Sequence, residues 1–118
     1  MKTIFVLEGE RAPTANQMNC HWTKRAPEVK QIHATVQKAF TGREVMYKVP
    51  VDIEIIAMYI KRPIDSDNIW SKPYIDALKG TVIKNDNPNW VRRVIKESCW
   101  ADRNAVIITI YPSHSSSR

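Results

Sequence analysis

The chain has 118 residues, enough for one domain that needs neither a metal nor a disulfide merely to stay folded. Lys plus Arg number 18 against 12 Asp plus Glu, a net charge of +6, which favours phosphate-rich partners, nucleic acid first and an anionic membrane second. No apolar run approaches the ~20 residues of a membrane span, and the two cysteines, Cys20 and Cys99, lack CxxC spacing, so a zinc or redox motif is not expected and two reduced thiols in a cytoplasmic protein are.

Residues 3 to 8 read as a first strand, cut off at once by Glu8, Glu10 and Arg11. Residues 9 to 25 read as a loop with Pro13, Asn16 and Asn19. From Pro27 to Phe40, Val29, Ile32, Val36 and Phe40 recur at helical spacing, with Pro27 suited to the first turn and Gly42 just past the end. Val51 to Ile60 alternates as a strand and is apolar on both faces in its second half, as a central strand is. The connection 61–68 carries Lys61, Arg62, Pro63, Asp65 and Asp67. A helix follows and ends near Lys79, with Gly80 as its C-terminal turn residue. Either Ser71 caps it and Pro73 lies in its first turn, or a helix from Asn68 is kinked at Pro73; the first is preferred because a proline deep in a helix loses a hydrogen bond. Residues 81 to 84 read as a short strand, 85 to 88 as a turn, and 90 to 97 and 104 to 111 as two more strands. The order predicts an α+β domain over residues 1–112, a small mixed β-sheet with two main helices, and a frayed Ser-rich tail over 113–118.

Asp65, Asp67, Asp76 and Asp86 fall within twenty-two residues of a basic chain. Asp65 and Asp67 lie two apart in a segment that Pro63 biases toward extended backbone, where residues i and i+2 point the same way. Two carboxylates set side by side raise one another's pKa, and a divalent cation relieves the conflict. Mg²⁺ takes oxygen ligands and commonly binds through one or two carboxylates plus substrate phosphate. Asp86 is a third candidate, returned by the helix and turn. Ordinary capping or an Asx-turn accounts for the same acids. Lys72 either stabilises charge on a phosphate or pairs with Asp76 one turn on, and that intrahelical pair also explains Asp76.

The stretch Asp65-Ser66-Asp67-Asn68, then Lys72, then Asp76-Ala77-Leu78-Lys79-Gly80, then Asn85-Asp86 resembles the signature of RusA-type Holliday junction resolvases, common in phages and prophages. The match covers roughly residues 60 to 91. The resemblance implies a RusA-like fold and a homodimeric, Mg²⁺-dependent endodeoxyribonuclease (Mn²⁺ as a substitute) that cuts four-way junctions with paired symmetric nicks in DNA recombination and repair. It implies a bacterial or phage-infected cytoplasm, branched DNA as partner, no membrane and no small-molecule cofactor. It assigns Asp65, Asp67 and Asp86 as metal-binding catalytic acids and Lys72 as the catalytic lysine. Two departures stand out: Lys72 follows Asp67 by five residues where the best-known form has four, and Asn85 replaces the first member of an acidic pair.

Lys61, Arg62, Lys24, Arg25, Lys79 and Lys84 are the candidate phosphate contacts, which position a protein on DNA without reading its sequence. Arg92 and Arg93 adjoin in a strand and must face opposite sides. Trp22, Trp70, Trp90 and Trp100 either stack on bases at a junction centre or pack in the core or a dimer interface. The rival to a nuclease is a non-catalytic branched-DNA-binding protein of the same fold, with Asn85 as its mark.

Overall fold

A computed structural model describes residues 2–14, 22–40 and 47–113, with backbone alone for 22–25. In chain order the elements are β1 (Thr3–Glu8), α1 (Trp22–Ala39), β2 (Val51–Tyr59), a 3₁₀ turn (Ser66–Asn68), α2 (Lys72–Leu78), β3 (Val91–Trp100) and β4 (Ala105–Pro112). The four strands form one mixed sheet in the order β1-β4-β2-β3. β4 runs antiparallel to both β1 and β2, while β2 and β3 are parallel and joined through α2. This is the α+β class that the element order predicts, and β2 does hold a central place.

The strand alternation decides which face is covered. Phe5, Leu7, Ile53, Ile55, Ala57, Tyr59, Val106, Ile108 and Ile110 are buried, and with Ile32, Val36 and Phe40 of the α1 stripe and Tyr74, Ile75 and Leu78 of α2 they form one core. The Phe5 and Phe40 rings meet at 5.5 Å between centroids. On the opposite sheet face Ile4 and Val6 are each 43% exposed.

Several boundaries differ from the sequence expectation. α1 begins at Trp22, so Lys24 and Arg25 lie in helix backbone rather than in a loop, and their side chains are outside the described residues. Pro27 is therefore inside the helix. The missing N–H costs one bond near the helix start, and Lys24, Arg25 and Ala26 are good helix formers that carry the turn before it. Residues 81–84 make no strand; they turn back onto α2, with Val82 and Ile83 amides donating to the Leu78 carbonyl at 3.0 and 3.1 Å. Gly80, at φ +84°, makes that reversal, in a conformation that a side chain disfavours. Ser113 is not frayed: it is buried, and its N–H donates to the Pro50 carbonyl at 2.9 Å. Residues 114–118, Cys20 and Gly42 lie outside the described residues. α2 follows the preferred alternative, with Ser71 at the N-cap and proline in the first turn.

Candidate functional site

The acid-bearing segment leaves the end of β2 through exposed Lys61 and Arg62 and returns across the edge of the sheet beside β3. Asp65 is extended (φ −62°, ψ 141°), but the chain then tightens into the 3₁₀ turn, closed by the Asn68 N–H on the Asp65 carbonyl at 2.9 Å. The extended i, i+2 alignment therefore does not hold between Asp65 and Asp67. Both side chains are exposed and stand on one compact turn.

The turn is pinned from both ends. Ile69, buried, forms an antiparallel bridge with Thr14, and the Trp70 N–H donates to the Pro13 carbonyl at 3.0 Å. The Tyr59 hydroxyl donates to the Ala12 carbonyl at 3.1 Å, which holds the same early segment over the end of β2. From β3, the Ser98 hydroxyl donates to the Ile64 carbonyl and the Ser98 N–H to Ser66 Oγ at 3.2 Å. Lys96 Nζ donates to the carbonyls of Ile69 at 3.1 Å and Asp67 at 3.4 Å.

Asp76 and Asp86 form a second acidic group. Lys79 Nζ lies 3.6 Å from Asp76 Oδ1 and 3.7 Å from Asp86 Oδ2, and Lys72 Nζ lies 3.6 Å from Asp76 Oδ2. Lys72 is thus in the intrahelical pair that its spacing allows. Lys79, one of the predicted phosphate contacts, is engaged with two carboxylates, and Lys84 stacks its ammonium over Trp90 at 5.3 Å. The Asn87 side chain accepts the Asn89 N–H two residues on, the Asx contact of this turn, and the Asn85 side chain accepts the N–H of the adjacent Asp86.

The sequence expectation brings Asp65, Asp67 and Asp86 onto one ion. Among the described residues no three His, Cys, Asp or Glu side chains gather closely enough to hold a metal. The oxygen donors at Asp65 and Asp67 nevertheless suit a hard divalent cation that keeps several waters and takes its remaining ligands from a phosphate.

Beside the turn, Glu10 accepts from the buried Tyr74 hydroxyl at 2.8 Å. Burial pushes the Glu10 carboxyl above its usual range, the Tyr74 hydrogen bond opposes that, and nearby Glu28 adds to it. Burial, followed by the Glu10 charge, pushes the Tyr74 hydroxyl up as well. Of the tryptophans, Trp70 and Trp90 are half-buried, Trp100 is 66% exposed at the end of β3, and the Trp22 side chain lies outside the described residues.

Lys96 is the contact that sequence reasoning passed over. The sequence carries no signal for it; only the parallel register with Ile55 puts it on the helix-facing side of β3, where a charged side chain needs a partner. No helix among the described residues is long and apolar enough to cross a membrane. No protein-family model matches the chain, and no curated protein matches it.

Proposed function

We propose that the chain is a divalent-metal-dependent endodeoxyribonuclease selective for branched DNA, acting on four-way junctions as a homodimer. The observation that carries this reading is the exposed acid pair Asp65 and Asp67 on a braced turn, directly after exposed Lys61 and Arg62, in a chain of net charge +6. A basic surface holds the phosphate backbone, and an acidic focus within it has a purpose if it holds a cation against that backbone.

In this reading Asp65 and Asp67 hold the Mg²⁺, and Asp86 joins them only if its pair with Lys79 opens. The bound cation supplies Lewis-acid stabilisation of charge on the phosphate and a more acidic water. Lys61 and Arg62 contact flanking phosphates and keep the scissile one over the acids. Lys72 reaches a phosphate only by leaving Asp76; the lysine is itself well exposed, and Asp76 keeps Lys79 as a counter-charge when it leaves. A two-fold dimer presents two identical sites to the two-fold pseudosymmetry of a four-way junction, which accounts for paired nicks.

The rival reading, a non-catalytic binder of branched DNA, is favoured by the lack of a three-acid cluster among the described residues. A synthetic four-way junction incubated with and without Mg²⁺ separates the two. Asp67→Asn should abolish cutting while leaving junction binding equal or tighter, since it removes negative charge near phosphate. Cutting by this variant at the wild-type rate would defeat the assignment, and binding without any cutting by the wild type would favour the rival.

A further inference from the structure

We propose that Lys96 is a positioning residue for the acid turn, and that β3 serves as the rail on which Asp65 and Asp67 are set. The proposal rests on the nuclease reading for its functional consequence, and on geometry alone for its structural one.

A short 3₁₀ turn leaves carbonyls unpaired at its C-terminal end. Here the Asn68 and Ile69 amides take the carbonyls of Asp65 and Ser66, and Lys96 Nζ takes those of Asp67 and Ile69. An ammonium has three donors and no acceptor, so one side chain ties two successive points of the turn. Hydrogen bonds from a charged donor are stronger than neutral ones, and the Lys96–Ile69 contact is partly buried.

The neighbouring residues of β3 brace the other end of the segment. β3 is the outermost strand of the sheet among the described residues, so the outward N–H of Ser98 is open to a partner other than a strand. The outward N–H of Ser98 is used by Ser66 Oγ, and the Ser98 hydroxyl reaches the Ile64 carbonyl. Lys96 and Ser98 share one face of β3 at strand spacing, and between them they contact residues 64, 66, 67 and 69. Among the described residues neither aspartate side chain has a bond that orients it, so the backbone of the turn sets where they point.

The test compares Lys96→Met, which keeps the length of the side chain and removes its donors, with Lys96→Arg, which restores them. Amide hydrogen exchange of residues 66–69 and junction cleavage over a Mg²⁺ titration are read on the full chain, with junction affinity measured in EDTA. The expected result for Lys96→Met is at least tenfold faster exchange at Asn68 and Ile69, a fall of at least tenfold in cleavage rate at saturating junction, and junction affinity within threefold of wild type. Lys96→Arg should recover at least a third of the rate. Unchanged exchange together with cleavage within twofold of wild type overturns the proposal. So does a loss of junction affinity with unchanged exchange, which would make Lys96 a phosphate contact. If wild type cuts no branched substrate, the nuclease reading fails, and the exchange arm still decides: lost protection supports the positioning role and retained protection overturns it. Should Lys96→Met not fold, Ser66→Ala, which removes one acceptor from the same brace, is expected to speed exchange at the turn at least threefold, and no change there overturns the proposal.

Discussion

Arg93 closes over Asp52 from the neighbouring strand, with Nε 3.1 Å and Nη2 3.0 Å from the same carboxylate oxygen, Oδ2. Asp52 is fully buried, on the face of β2 opposite to Ile53 and Ile55, and its other oxygen, Oδ1, has no hydrogen-bond partner among the described residues. The arginine is therefore the charge partner of an aspartate that water does not reach. Removing one member of such a pair strands the other, which costs far more than the pair contributes. Arg93→Met is expected to lower the melting temperature by roughly 5–15 °C. The double variant Asp52→Asn with Arg93→Met should recover part of that loss. Thermal unfolding followed by circular dichroism checks both, and an unchanged melting temperature for Arg93→Met would show that Asp52 does not depend on it.

Glu10 gives the fold a pH dependence of defined sign. Its carboxyl is held above the usual value of 4.5, with burial as the leading cause. The folded state thus holds this proton more tightly than the unfolded chain does. The stability it contributes is present below the unfolded value and is lost as pH rises through the folded one. Glu10→Gln keeps an acceptor for the Tyr74 hydroxyl and removes the titration. Relative to wild type it is expected to gain stability as pH rises from about 4 through the weakly acidic range and to hold that gain at neutral pH. A difference that stays flat with pH would count against the buried-carboxylate account.

What could be read in advance follows from where each signal resides. The alternation of Val51, Ile53, Ile55, Ala57 and Tyr59 announces a strand and its buried face, because period two is a property of the segment itself. The Ile32, Val36 and Phe40 stripe announces α1 for the same reason. The start of α1 was not legible, since Pro27 mimics a first-turn residue and only backbone placement shows a turn before it. Asp65 and Asp67 were legible as a pair by spacing. Their geometry was not, because the Asn68 to Asp65 bond that curls the chain depends on contacts with β3 and the early loop. The Asp76–Lys79 pair is legible as an i,i+3 spacing, but the addition of Asp86 to it arises from the reversal at Gly80 and involves no local pattern. Lys96 reads as a solvated strand lysine until the parallel register with β2 assigns it the covered side.

Ile69 tests whether the acid turn is anchored by the core as well as by polar contacts. The side chain is buried and lies between the 3₁₀ turn and the bridge to Thr14. Ile69→Ala removes buried methylenes and leaves a space that the surrounding sheet fills only in part, at an expected cost of about 2–4 kcal/mol. Ile69→Val should cost about 1 kcal/mol. Denaturant titration measures both, and a loss below about 0.5 kcal/mol for the alanine variant would mean that the turn is held independently of the core.

Lys79 distinguishes two roles for Asp86. Its ammonium is the shared counter-charge of Asp76 and Asp86, and all three side chains are partly exposed, so Lys79→Met should change stability by no more than about 1 kcal/mol. If Lys79 also contacts DNA, the same variant reduces the salt dependence of junction binding by about one ion equivalent. The cation requirement carries the sharper information. With the ammonium gone, Asp86 is free to turn toward an ion held by Asp65 and Asp67, and the Mg²⁺ concentration needed for half-maximal junction cutting should fall several-fold. Asp86→Asn in the same background should reverse that fall. A Lys79→Met variant whose Mg²⁺ requirement is unchanged or higher would leave Asp86 outside the cation site and the metal chemistry to the two aspartates of the turn.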